Sequence, residues 1–170
     1  MSVSSHSTEE GGEEDINTCA SYDESLDTLY ISNTSTSDSP CTYANPCQSM
    51  GAAADGLESD GVIVLLPGIH THATQVYRSN ITLTVVSSSC SADDTFIAVE
   101  SLTDSLFYLD SSSNSETKLN LHSFSIAVSN ELTTYGCLFY ISKICVLSLE
   151  SMKLYGSSPS VSVSASLTSI

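Results

Sequence analysis

Two segments of the chain repeat one another in kind and order, and no other feature narrows the available folds as far. "LFYLD" at Leu106 to Asp110 is followed by "KLNLHSFSI" at Lys118 to Ile126, and "LFYIS" at Leu138 to Ser142 by "VLSLESMKL" at Val146 to Leu154. Leu119/Leu147, Leu121/Leu149, Phe124/Met152 and Ile126/Leu154 all differ by 28 positions (147 − 119), while the "LFY" runs differ by 32 (138 − 106). Connections vary in length; the apolar runs keep their order. Within the runs, Leu119 and Leu121 alternate with Asn120 and His122, the period of a strand with one buried face. Phe124 and Ile126 continue after a one-residue phase change at Ser123, and Ile81, Leu83 and Val85 show the same alternation earlier. The gaps, such as "YRSN" and "DSSSNSE", are short and rich in turn residues, so no crossover helices intervene. The pattern predicts an all-β solenoid in which successive repeats stack and bury a continuous apolar interior. The alternative is an ordinary β-sandwich.

With 170 residues the chain suits one domain. Its first 40 residues differ from the rest. Glu9, Glu10, Glu13, Glu14 and Asp15 follow one another without an apolar period, and "SNTSTSDSP" at Ser32 to Pro40 reads as a polar linker. Such a segment has little apolar surface to offset the entropy of ordering, so 1–40 is expected to be disordered or weakly ordered, with the domain over 41–170. Asp23 to Tyr30, "DESLDTLY", reads as a strand or a short turn of helix.

Charge and composition limit the partners. Four basic residues stand against 20 acidic ones, a net charge of -16. A nucleic acid or an anionic leaflet needs clustered Lys and Arg, and neither is an expected partner. No apolar run approaches the ~18 residues that span a bilayer, so membrane insertion is not expected. "MSVSSHSTEEGGEED" is not a signal peptide, since it has no basic or apolar region. Six cysteines and the sequons at Asn33 and Asn80 nevertheless favour an extracellular or cell-surface setting, with glycosylation at both asparagines. Cys41 and Cys47, each preceded by proline, are expected to pair; Cys137 and Cys145 are a weaker proposal. Six cysteines allow about 15 connectivities, so spacing alone settles neither.

"NPCQSMGAAADGLESDGVIVLLPGIH", Asn45 to His70, opens as a helix. Asn45 suits the N-cap, Pro46 the first turn and Gln48 a capping-box position, while Met50, Ala53, Ala54 and Leu57 place small apolar residues on one face. Asp60-Gly61 then turns the chain into "VIVLL". This stretch, followed by "SNITLTVV", resembles the start of right-handed parallel β-helix domains of the pectin-lyase-like type, including surface-protein repeats of that class. The resemblance covers roughly Cys41 to Ser158. It implies that a short N-terminal capping α-helix covers an edge otherwise open to strand addition. "YGCLFYIS" is similar to the glycine-rich segment that opens a coil in such repeats, with Cys137 and Leu138 in place of the usual small residues.

Candidate chemistry is sparse. The resemblance implies, for lyases of this fold, clustered carboxylates and an Arg or Lys base, and for hydrolases a group of Asp near a turn. Here Asp93-Asp94 is the one adjacent acidic pair in the β region, read as solvated turn residues, and Arg78 has no acidic neighbour in sequence. His70 and His72 form His-x-His without a third zinc ligand nearby, and are expected to be surface residues. The sequence assigns no catalytic, metal or cofactor residue and calls for no cofactor. The eight tyrosines are too dispersed to define a sugar-stacking stripe, although an aromatic row along one solenoid face would fit the architecture. The functional expectation is a non-catalytic, adhesin-like surface scaffold binding carbohydrate or protein. The alternative is the N-terminal part of a carbohydrate-active lyase or hydrolase with catalytic coils beyond Ile170. The alternation of Val161, Val163 and Ala165 near the last residue is read as a strand under way, hence as a truncated domain.

Overall fold

The computed structural model describes residues 25–71, 74–89, 91–99, 105–111, 115–128, 137–142 and 145–156. Among these described residues, twelve strands and one short helix follow in the order β1 (Asp27–Ile31), α1 (Met50–Gly56), β2 (Gly61–Leu65), β3 (Gly68–His70), β4 (Val76–Ser79), β5 (Thr82–Ser87) and β6 (Thr95–Val99). The remainder are β7 (Ser105–Asp110), β8 (Thr117–His122), β9 (Ser125–Val128), β10 (Cys137–Ile141), β11 (Cys145–Glu150) and β12 (Lys153–Gly156). From β2 onward the chain visits three sheets in fixed rotation. They are ordered β1-β2-β5-β8-β11, β3-β6-β9-β12 and β4-β7-β10, and every paired strand within them is parallel. The antiparallel pairing of an ordinary β-sandwich does not occur among the described strands.

The internal repeat is written directly into the strand register. Leu119 pairs with Leu147 and Leu121 with Leu149, Ile126 pairs with Leu154, and Phe107 with Phe139. Like residues therefore stack on like, giving columns such as that of Leu29, Ile63, Val85 and Leu121, which runs out to an exposed Leu149 on β11. Most of these side chains belong to one continuous apolar core. The phase change foreseen at Ser123 is a backbone event: Ser123 has φ 61° and Ser151, 28 positions on, has φ 53°. A left-handed residue between β8 and β9, and its counterpart between β11 and β12, turn the chain from one sheet to the next.

"VIVLL" lacks alternation because both faces of β2 are covered. Ile63 and Leu65 enter the main core, while Val62 and Val64 join Val86, Leu26 and Tyr30 in a second apolar cluster. That cluster draws on β1, which lies ahead of the expected domain start at Cys41. Asp27–Ile31 pairs residue for residue with β2, so the ordered unit extends into the segment read as weakly ordered. The ambiguity of "DESLDTLY" resolves as strand over Asp27 to Tyr30, whose backbone a parallel partner satisfies, while Asp23 and Glu24 lie outside the described residues.

The helix buries the face its spacing specified. Met50, Ala53, Ala54 and Leu57 are all buried, and α1 packs against β1, β2 and β4. Its start differs from the expected one. Ser49, not Asn45, is the N-cap, its Oγ accepting from the Ala52 N–H at 3.3 Å. The Ser49 N–H and Oγ both donate to Asp38 Oδ1 at 3.0 Å, so a carboxylate in the preceding loop fixes the cap. Pro46-Cys47 cannot be helical because Cys47 is held extended beside β1: its N–H donates to Tyr30 O and its carbonyl accepts from the Ser32 N–H. A disulfide from Cys41 to Cys47, Cα to Cα 4.5 Å, closes this loop.

Candidate functional site

Tyrosines from three strands form a single row on the outside of the β4-β7-β10 sheet. Tyr77 pairs in register with Tyr108, and Tyr108 with Tyr140. The rings stack, with centroids 5.0 Å apart and planes at 27° for the first pair, and 4.5 Å and 14° for the second. One position earlier on β7 and β10 point Phe107 and Phe139, stacked inside the core at 5.6 Å and 12°. Alternation thus sends one aromatic of each "FY" inward and the other outward. Tyr77 keeps 51% of its surface exposed and Tyr140 44%, so the row is open to solvent at both ends. Tyr108 lies half-buried between them, and both faces of its ring are covered.

Polar groups run beside the row. Ser79 and Asp110 are paired in register two residues along from Tyr77 and Tyr108, and Ser142 Oγ hydrogen-bonds to Asp110 Oδ1. The Ser111 N–H donates to the same carboxylate oxygen at 2.9 Å. Partial burial, then the Tyr140 phenol and the Asp110 carboxylate, push the Tyr108 phenol above its ordinary pKa. The row therefore offers ring edges and hydroxyls, with acceptor and hydroxyl groups alongside. Such a surface suits an extended partner carrying hydroxyl or carbonyl groups.

The sequence-derived candidates lie apart from this row. Asp93 sits in the β5–β6 turn, as expected of a turn carboxylate, but it also receives Lys153 Nζ at 2.6 Å on both oxygens from a residue 60 positions away. Asp94 Oδ2 accepts from Ser89 Oγ at 2.8 Å within the turn. Arg78 is mostly buried near Asp55 of α1, with Nη1 3.8 Å from that carboxylate and burial lowering its pKa. Among the described residues no three His, Cys, Asp or Glu side chains are placed to hold a metal. Asn33 and Asn80 are both exposed. Asn80 occupies a left-handed turn position at φ 60°, and the Asn33 amide lies over Gly68, where an added Cβ would come within 2.5 Å of Asn33 Nδ2.

Two expectations are corrected. His70 is not a surface residue: it is 5% exposed and continues the interior column of Ile97, Ile126 and Leu154. Its Nε2 lies 2.8 Å from Leu66 O, while Nδ1 is buried without a hydrogen-bond partner. His72 lies outside the described residues. Cys145 carries a free thiol, so it does not pair with Cys137; its Sγ donates to Ser142 O at 2.8 Å, and burial raises its pKa. Cys145 and Cys137 begin neighbouring strands of different sheets, and their spacing in sequence carried no information on that separation.

The buried imidazole makes stability depend on pH. Burial lowers the His70 pKa from 6.5, outweighing the opposing contact with Leu66 O. The unfolded chain then binds a proton more readily than the folded one, so stability is full above pH 6.5 and is lost as pH falls through the interval down to the folded pKa. In thermal unfolding followed from neutral to mildly acidic pH, His70→Leu is expected to flatten this part of the wild-type decline. Superimposable pH profiles would show that His70 does not contribute to it.

No protein-family model, curated protein or solved structure matches the chain. No helix among the described residues is long and apolar enough to cross a membrane.

Proposed function

We propose that the chain is part of a right-handed parallel β-helix of the pectin-lyase-like type, serving as a non-catalytic, adhesin-like scaffold at a cell surface. The three-sheet rotation supports the solenoid reading, and the exposed tyrosine row carries the functional one. A row of phenols held by backbone register is rigid before any partner arrives, so little side-chain entropy is lost on contact. The partner is a carbohydrate or a protein with an extended segment running along the row. The covered faces of Tyr108 make edge and hydroxyl contacts the main mode, with ring stacking left to the ends of the row. Extracellular placement and sugars on Asn33 and Asn80 belong to the same reading.

A binding screen against immobilised cell-wall polysaccharides and surface proteins tests it. The variant Tyr77→Ser/Tyr108→Ser/Tyr140→Ser is expected to lose retention on the ligand that the wild type binds, while Tyr43→Ser and Tyr155→Ser, elsewhere on the surface, keep it. Equal retention of the triple variant, with its circular dichroism unchanged, would remove the row from the binding face.

A further inference from the structure

The tyrosine row also has the geometry of a covalent cross-linking site. We propose that Tyr108 and Tyr140 are coupled by a peroxide-driven one-electron oxidant, such as a haem peroxidase, into an intramolecular dityrosine that staples β7 to β10. The two phenols stand on register-paired residues with centroids 4.5 Å apart and planes 14° from parallel. Their ortho carbons, where a phenoxyl radical carries much of its unpaired spin, therefore face each other before oxidation begins. Holding two reactants in this way replaces a diffusional encounter with an intramolecular one.

Each phenol gives up one hydrogen atom to the oxidant, leaving two phenoxyl radicals. Their ortho carbons form one C–C bond, and the hydrogens on those carbons move to the oxygens, restoring both phenols. Two hydrogen atoms are lost in all, and one hydrogen peroxide is reduced to two waters. The partial exposure of Tyr140 and Tyr77 gives a surface oxidant access to the row.

Other aromatic pairs in the molecule serve as internal controls. Tyr30 and Tyr43 are close, at 5.4 Å, but meet edge-on at 69°. Tyr155 stacks on Phe96, which has no phenol to oxidise. Tyr77 lies two strands from Tyr140, roughly 9–10 Å away at ordinary strand spacing, so the row couples only through Tyr108.

The purified chain, kept dilute to suppress dimers, is treated with haem peroxidase and hydrogen peroxide. Expected are dityrosine fluorescence in the monomer, a mass lower by two hydrogens, and a cross-linked peptide joining Tyr108 to Tyr140. Tyr108→Phe keeps the stack but removes the central phenol, and should abolish the monomeric product; Tyr43→Phe should leave it unchanged. The cross-linked wild type should also unfold at a higher temperature, because a bond across 32 positions restricts the unfolded chain. The proposal is overturned by any of three results: no dityrosine, cross-links confined to dimers or to Tyr30 and Tyr43, or an undiminished monomeric yield in Tyr108→Phe. Ligand retention by the unoxidised chain is a separate readout, so failure of this chemistry leaves the binding test intact.

Discussion

Phe107→Ala will destabilise the protein by about 3–5 kcal/mol, the range for emptying a fully buried phenylalanine site. Phe107 has no exposed surface and stacks on Phe139 of the paired strand, so truncation removes both the transfer energy and one ring-to-ring contact. The cavity cannot collapse easily, because backbone register fixes the neighbouring strands at hydrogen-bonding distance. Phe107→Leu keeps most of the volume and should cost less than about 1.5 kcal/mol. Denaturant titration of the two variants checks the ordering. Near-equal losses would mean that the site relaxes, and that the columns are less rigid than their register implies.

Leu57→Asp will have an effect of similar size by a different route. Leu57 is 6% exposed and lies so close to the start of β2 that an added Cβ on Gly61 would sit 2.5 Å from its Cδ2. Arg78, Lys118 and Lys153 are already engaged by Asp55, Glu116 and Asp93, so a new carboxylate must be buried without a partner of its own or the helix must lift away. Either outcome costs on the order of 3–5 kcal/mol. Because α1 covers β1, β2 and β4, loss of hydrogen-exchange protection should begin in those strands. Unchanged thermal unfolding, or protection lost first in β11 and β12, would refute a capping role for the helix.

How far the sequence disclosed this arrangement depends on the range of the interaction concerned. Leu119 over Leu147 and Phe107 over Phe139 were readable because stacking like on like leaves a periodic trace in the chain. The buried face of α1 was readable for the same reason: a helix repeats its environment every few residues. Its N-cap was not, since the choice of Ser49 over Asn45 is made by Asp38 and by the extended Cys47, which are tertiary partners. His70 looked like a surface residue because His-x-His is polar as a word; only the register that aligns it with Ile97 shows it buried. The tyrosine row was half visible. Tyr108 and Tyr140 share the "LFY" repeat, but Tyr77 sits in "QVYRSN", which resembles neither copy, and joins the row only through strand pairing.

The left-handed serines act as shifts in a reading frame. A strand assigns its residues alternately to inside and outside, so Leu119 and Leu121 define one frame, and Phe124 and Ile126 lie in the other, offset by the single residue Ser123. Ser151 makes the same shift in the next copy. Sequence drift is consequently punished unevenly: a substitution within a strand alters one contact, whereas a one-residue gain or loss at either serine transposes every downstream side chain of that strand across the wall. Length changes between strands are absorbed, as the differing 28- and 32-residue offsets show. Length changes at the corner serines are not, which makes these two inconspicuous polar residues the points at which the message is kept in phase.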